Sequence, residues 1–108
     1  MTQLNFNNHL KSQDFISKTI TQIEKDFGRC NLEINLSQFN DRDSLENGIL
    51  DIIQYLSSDK LHQLLYIIDI PENEFSKLAE NEFFYRALSE KILRREALKV
   101  FLRENLSV

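Results

Sequence analysis

The side chains best suited to metal or nucleophilic chemistry in this 108-residue chain are His9, His62 and Cys30. They cannot supply the four ligands of a structural zinc site, and no CxxC or HxxxH spacing occurs. Asp59 is the one carboxylate within a helical turn of His62, so a His62–Asp59 pair on a helix surface is the nearest approach to a catalytic arrangement. The counts and spacings predict no metal site and no catalytic residues.

The cysteine and the glycines also argue against catalysis. Cys30 follows a predicted helix end, where the negative end of the helix dipole raises the pKa of a thiol. Cys30 is therefore expected to be a small packing residue. Gly28 and Gly48 are the two glycines, and they are too isolated for a phosphate-binding loop. No serine stands in a GxSxG motif. We expect no cofactor, and a protein that is not an enzyme.

Carboxylates are numerous, but most of them occupy positions at predicted helix caps, first turns and exteriors, where solvent and the helix dipole account for them. Asp51 and Asp69 interrupt apolar runs and are the acids most expected to be partly buried. The spacing around Asp41 and Asp43 does not match an EF-hand loop.

Composition indicates a single small domain in the cytoplasm. The hydrophobic fraction is 42%, and 17 acidic against 13 basic residues give a net charge of -4, which argues against a protein that coats nucleic acid. The start of the sequence lacks the pattern of an export signal, and the longest apolar run covers only residues 64–68. A single cysteine suits a reducing compartment.

Apolar periodicity predicts an all-α fold, an irregular or orthogonal bundle of about five helices. Ser12 is a candidate cap for a helix over residues 12–27, and Asp43 with Glu46 resembles a capping box before a helix over 44–57. The sequence from Ser57 to Asp59 can cap a third helix that reaches residue 68, and Pro71 suits the start of a short fourth. The last helix, from about residue 82 to 105, would be ~35 Å long at 1.5 Å per residue.

Two stretches outside these helices are ambiguous. Residues 1–11 are predicted to be a polar N-terminal tail or a short edge strand, and residues 12–108 form the single helical domain. In the segment 29–42, Leu32, Ile34 and Leu36 alternate with polar residues. This pattern fits a short strand near 32–36, or an extended loop that places three side chains under the helices.

The last helix changes its apolar side along its length. Its first half is apolar on one side, and its second half is apolar on a side roughly opposite, through Leu93, Ala97, Val100 and Phe101. Either the first helix covers this second strip, or the strip packs on a second subunit or another protein. Residues 41–82 carry ten acidic and three basic groups, a net of -7, whereas residues 83–108 carry six basic and three acidic groups, a net of +3.

These features predict a non-enzymatic domain for self-association or protein–protein interaction, with a protein partner or a homodimer as the expected assembly. The predicted interaction surface consists of Leu93, Ala97, Val100, Phe101, Arg95, Lys99 and Arg103.

The alternative is a weak nucleic-acid-binding accessory protein that uses the basic stripe of the same helix. The stripe comprises Lys91, Arg95, Lys99 and Arg103 at intervals of four. Interspersed glutamates disfavour this function, and the apolar and basic sides do not lie back to back as in a membrane-surface helix. We therefore expect neither nucleic acid nor membrane as the partner.

Overall fold

A computed structural model describes residues 6–106, with Asn7 and Leu106 described by their backbone alone. The fold is all-α, and this part of the chain contains no strand. The helices are α1 (Phe6–His9), α2 (Gln13–Gly28), α3 (Arg42–Ile53), α4 (Ser58–Ile68), α5 (Glu72–Leu78) and α6 (Phe84–Leu106). The radius of gyration is 13.5 Å, close to the ~13 Å expected for a domain of this length.

Short polar side chains fix the starts of three helices. Ser12 Oγ accepts a hydrogen bond from the Phe15 amide, and Ser57 Oγ accepts one from the Lys60 amide. Both caps confirm the prediction from sequence. The cap of α3 is Asp41, whose Oδ1 lies 2.8 Å from the amide nitrogen of Ser44.

The predicted capping box at Asp43 and Glu46 is wrong. Asp43 lies inside the first turn of α3, because Asp41 takes the capping position. Glu46 is instead turned toward two guanidinium groups: Arg42 Nη2 and Arg86 Nη1 each lie 3.7 Å from a Glu46 carboxylate oxygen. These contacts connect α3 to the beginning of α6.

Helix α6 is the centre of the fold. Its 23 residues give a length of about 34 Å, which nearly matches the longest dimension of the molecule, 37 Å. It contacts α2, α3, α4 and α5. The helix therefore lies across the whole domain and does not project from it.

The N-terminal segment is part of the core. The prediction of a polar tail is wrong for residues 6–10, because Phe6 and Leu10 are buried. The guanidinium carbons of Arg94 and Arg42 lie 4.4 and 5.1 Å from the centroid of the Phe6 ring. Residues 1–5, including Leu4 of the predicted edge strand, lie outside the described residues.

Residues 29–41 form the extended loop that the sequence left as one of two alternatives. Leu36 is buried, Leu32 and Ile34 are half-buried, and the Leu36 amide donates to the Glu24 carboxylate of α2 at 2.9 Å. A helix side chain thus satisfies a backbone donor that a strand partner would otherwise have satisfied.

Candidate functional site

The apolar residues of the predicted interaction surface are buried inside the chain itself. Leu93, Ala97 and Val100 have no exposed surface, and Phe101 is 4% exposed. The Phe101 ring meets the His9 ring edge-on, with centroids 5.2 Å apart. Helices α2 and α3 both pack on α6, so the chain itself covers this strip. The expectation that these residues meet a partner is corrected.

The cations of the predicted surface are engaged within the domain as well. Arg95 Nη2 lies 2.8 Å from Asp69 Oδ2 at the end of α4. Lys91 Nζ lies 3.1 Å from Glu74 Oε1 of α5. These two pairs attach the connection between α4 and α5 to the central helix.

The other two cations of the basic stripe face α2. Lys99 Nζ lies 2.7 Å from Asp26 Oδ2, and Arg103 Nη1 donates to Gln22 Oε1 at 2.8 Å. All four cations of the stripe therefore have partners inside the domain. The stripe that suggested nucleic-acid binding connects α6 to its neighbouring helices.

The buried acids are Asp26 and Glu96, and they differ from those the sequence indicated. Asp51 and Asp69 are exposed, whereas Asp26 is 1% exposed and Glu96 is 0% exposed. Glu96 Oε1 lies 3.2 Å from Lys99 Nζ without forming a hydrogen bond, and neither Glu96 oxygen has a hydrogen-bond partner among the described residues. A proton on the Glu96 carboxyl group would provide a hydrogen-bond donor for the Asp26 carboxylate.

The pKa values of these two acids shift in opposite directions. Desolvation, followed by the neighbouring Asp26 carboxylate, raises the pKa of Glu96 to about 9. Burial would also raise the pKa of Asp26, but the neighbouring Glu96 carboxyl group and the Lys99 ammonium, which donates to Asp26, outweigh it and lower that pKa. At neutral pH Glu96 therefore keeps its proton while Asp26 carries the charge that Lys99 balances. This arrangement holds two helices together.

The residues considered for catalysis are not assembled into a site. His62 Nδ1 lies 2.7 Å from the Ser58 carbonyl oxygen of its own helix, and both His62 and Asp59 are exposed. Cys30 is buried, and burial raises the pKa of its thiol. No group of three metal-binding side chains occurs within residues 6–106.

A groove lies between α4 and α5, lined by residues of both helices and of their connection. It has a volume of about 340 Å³. Rings line one side of it, where His62 lies 5.1 Å from Phe75, centroid to centroid. The lining residues are His62, Leu65, Tyr66, Asp69, Ile70, Pro71, Glu72 and Phe75.

Aromatic side chains continue from this groove to the start of α6. The Phe75 and Phe84 rings are 5.6 Å apart in an edge-on contact, and Phe84 lies 5.0 Å from Tyr85. Tyr66, at the groove itself, is 86% exposed. A large aromatic side chain in solvent beside an apolar groove is typical of a protein-binding surface.

The groove is acidic. Its charged lining residues are Asp69 and Glu72, and no lysine or arginine of residues 6–106 lines it. The neighbouring groove between α5 and α6 differs, because Lys91, Arg94 and Arg95 line it.

The sequence contained only a partial signal for this surface. The apolar periodicity of their helices predicts that Leu65 and Phe75 belong to the core, and it does not single out Tyr66. The acidic excess of residues 41–82 is the feature that points to the groove, since both of its carboxylates lie in that segment.

No family model, curated protein or solved structure matches this chain. Among the helices described here, none combines the length and the apolar character needed to cross a membrane.

Proposed function

We propose that this protein is a non-enzymatic, cytoplasmic interaction domain that binds another protein in the groove between α4 and α5. The partner presents an apolar segment that carries basic residues. The lone Cys30, which has no second cysteine for a disulfide within the chain, supports the cytoplasmic location.

The observation that carries the proposal is the exposure of Tyr66 beside the groove. Tyr66 leaves 86% of its surface in solvent, while Leu65 and Ile70 in the same groove belong to the core. Tyrosine is enriched where binding energy concentrates, because it brings a large apolar ring and a polar hydroxyl at a small entropic cost. A partner segment lying on Tyr66 and Phe75 would bury both rings.

The charge of the groove determines which kind of partner segment can bind. The groove is lined by two acids and no base of the described chain, within a segment of net charge -7. A basic partner would be attracted and oriented by this field, and an acidic partner repelled. A second copy of the chain is a poorer occupant, because the basic stripe of α6 is engaged within its own domain.

The chain offers a matched pair of tyrosines for the test. Tyr55, two residues beyond the end of α3, is 83% exposed but does not line the groove. A photo-crosslinking phenylalanine analogue at position 66, and separately at position 55, is irradiated in the native cell, and the adducts are identified by mass spectrometry. We expect a defined adduct from position 66 that position 55 does not give.

The adduct partner is then purified, and its affinity for the wild-type chain, Tyr66→Ala and Tyr55→Ala is measured by calorimetry. We expect Tyr66→Ala to weaken binding at least tenfold, a loss of ~1.4 kcal/mol or more, and Tyr55→Ala to leave it unchanged. Equal adducts from both positions, an adduct only with a second copy of the chain, or equal affinities of the two variants would overturn the proposal.

A further inference from the structure

We infer that the groove between α4 and α5 is a receptor for one cationic side chain, a lysine or an arginine, that the partner inserts between its aromatic rings and its carboxylates. This inference rests on the proposed function and adds the chemical group that the groove selects.

The rings provide the first part of such a receptor. His62, Tyr66 and Phe75 all line the groove, and the His62 and Phe75 rings are in contact. The faces of the Tyr66 and Phe75 rings carry the negative part of the aromatic quadrupole and attract cations, most strongly where water is displaced. The methylene groups of lysine or arginine would meanwhile pack on Leu65 and Ile70.

The carboxylates provide the second part. Asp69 shares its charge with Arg95, 2.8 Å away on the α6 side. Glu72 is exposed, and it forms no ion pair within the described residues. Glu72 is therefore the carboxylate left for an incoming cation.

The size of the groove limits what enters. A volume of about 340 Å³ is near the lower end of ligand pockets, ~300 Å³. This space suits one long side chain better than a whole helix. The rest of a partner segment would lie outside, against Tyr66.

The experiment uses the full chain and two small probes that differ by one charged group. The probes are Nα-acetyl-lysine methylamide and Nα-acetyl-norleucine methylamide, which keeps the four-carbon side chain but lacks the ammonium group, and an arginine probe is added as a third. Each is titrated into ¹⁵N-labelled protein at constant ionic strength, and the backbone amide shifts of residues 59–75 are followed. The variants are Tyr66→Ala, Glu72→Gln and Glu33→Gln, the last a matched charge change on the exposed loop outside the groove.

We expect weak, saturable shifts around His62, Tyr66 and Phe75 with the lysine or arginine probe, and none of comparable size with norleucine. Tyr66→Ala and Glu72→Gln should each weaken binding about fivefold, and Glu33→Gln should not. Equal shifts with norleucine, shifts scattered over the acidic surface, no shift at all, or equal effects of Glu72→Gln and Glu33→Gln would overturn the inference. Crosslinking at position 66 could still succeed in each of these cases, so this failure is distinct from failure of the proposed function.

Discussion

The Lys99 ammonium of α6 lies 2.7 Å from the Asp26 carboxylate of α2, across the interface between the two helices. The two residues are 73 positions apart in sequence. The Asp26 side chain is 2% exposed, and the Lys99 side chain is 22% exposed. An ion pair this buried adds little net stability over an apolar pair, but the loss of Lys99 leaves the buried Asp26 carboxylate with the more distant guanidinium of Arg29, 3.8 Å away.

We therefore expect Lys99→Met to destabilise the domain strongly, by ~3 kcal/mol. Urea denaturation followed by circular dichroism at pH 7 measures the change. Lys25→Met is the matched control, because Lys25 is exposed on α2 and should change stability by less than ~0.5 kcal/mol. Equal midpoints for the two variants would show that Asp26 does not depend on Lys99.

Glu96 makes stability depend on pH in a direction that is unusual for a carboxyl group. In the folded chain its pKa is about 9, and its ordinary value is 4.5. Between these values the folded state holds one more proton than the unfolded state, so rising pH favours unfolding. The contribution is fully present below pH ~4.5 and is lost as the pH rises through about 9.

The variant Glu96→Gln should remove this dependence, since the amide can donate to Asp26 at every pH. The groups that face it, Asp26 and Lys99, are unchanged. We expect the free energy of unfolding of the wild type, minus that of the variant, to fall steadily between pH 5 and pH 9, by at most about 1.4 kcal/mol per pH unit. Urea denaturation at pH 5, 7 and 9 gives this difference, and a flat difference would contradict a buried, protonated Glu96.

Adjacent residues on α6 separate core from surface. Phe101 is 4% exposed, whereas Leu102 is 38% exposed. Phe101→Ala should cost ~3–4 kcal/mol, because it removes a buried ring and leaves a cavity, and Leu102→Ala should cost less than ~1 kcal/mol. Thermal unfolding reports both changes. If Phe101→Ala kept full stability and changed the molecular mass in solution, the strip would face a partner after all.

The apolar strip of α6 shows which features of the fold can be predicted from the sequence. Periodicity correctly identifies Leu93, Ala97, Val100 and Phe101 as one apolar side of a long helix. It does not say which elements cover that side, because this depends on how the other helices pack on α6. The length of α6 and the caps at Ser12 and Ser57 are local properties, and the sequence predicts them.

The burial of Glu96 and the exposure of Tyr66 depend on contacts between helices, which the sequence does not predict. Glu96 has charged neighbours in the sequence, as the exposed Glu90 does, so the local sequence does not predict that Glu96 is buried. Its burial depends on the approach of Asp26 on α2. Tyr66 is similar, because its exposure depends on where α5 turns after Asp69. Asp69 has a positive φ of 73°, and this left-handed conformation ends α4. The sequence Asp69-Ile70-Pro71 does not predict this conformation.

The two glycines give a final test of how the loop before α3 packs on the domain. A Cβ added to Gly48 would lie 2.5 Å from Cε2 of the Phe39 ring, while a Cβ added to Gly28 meets nothing within 4 Å. Both glycines are helical with negative φ, so alanine should favour each helix by up to ~1 kcal/mol. We expect Gly28→Ala to stabilise the domain and Gly48→Ala to destabilise it by ~1 kcal/mol, because the Phe39 ring must move.

A double-mutant cycle shows whether the ring is the cause. In a Phe39→Ala background the obstacle is gone, so Gly48→Ala should become stabilising, with a coupling of ~2 kcal/mol between the two positions. Urea denaturation of the four proteins in the cycle measures it. A coupling near zero would mean that Phe39 does not pack against Gly48.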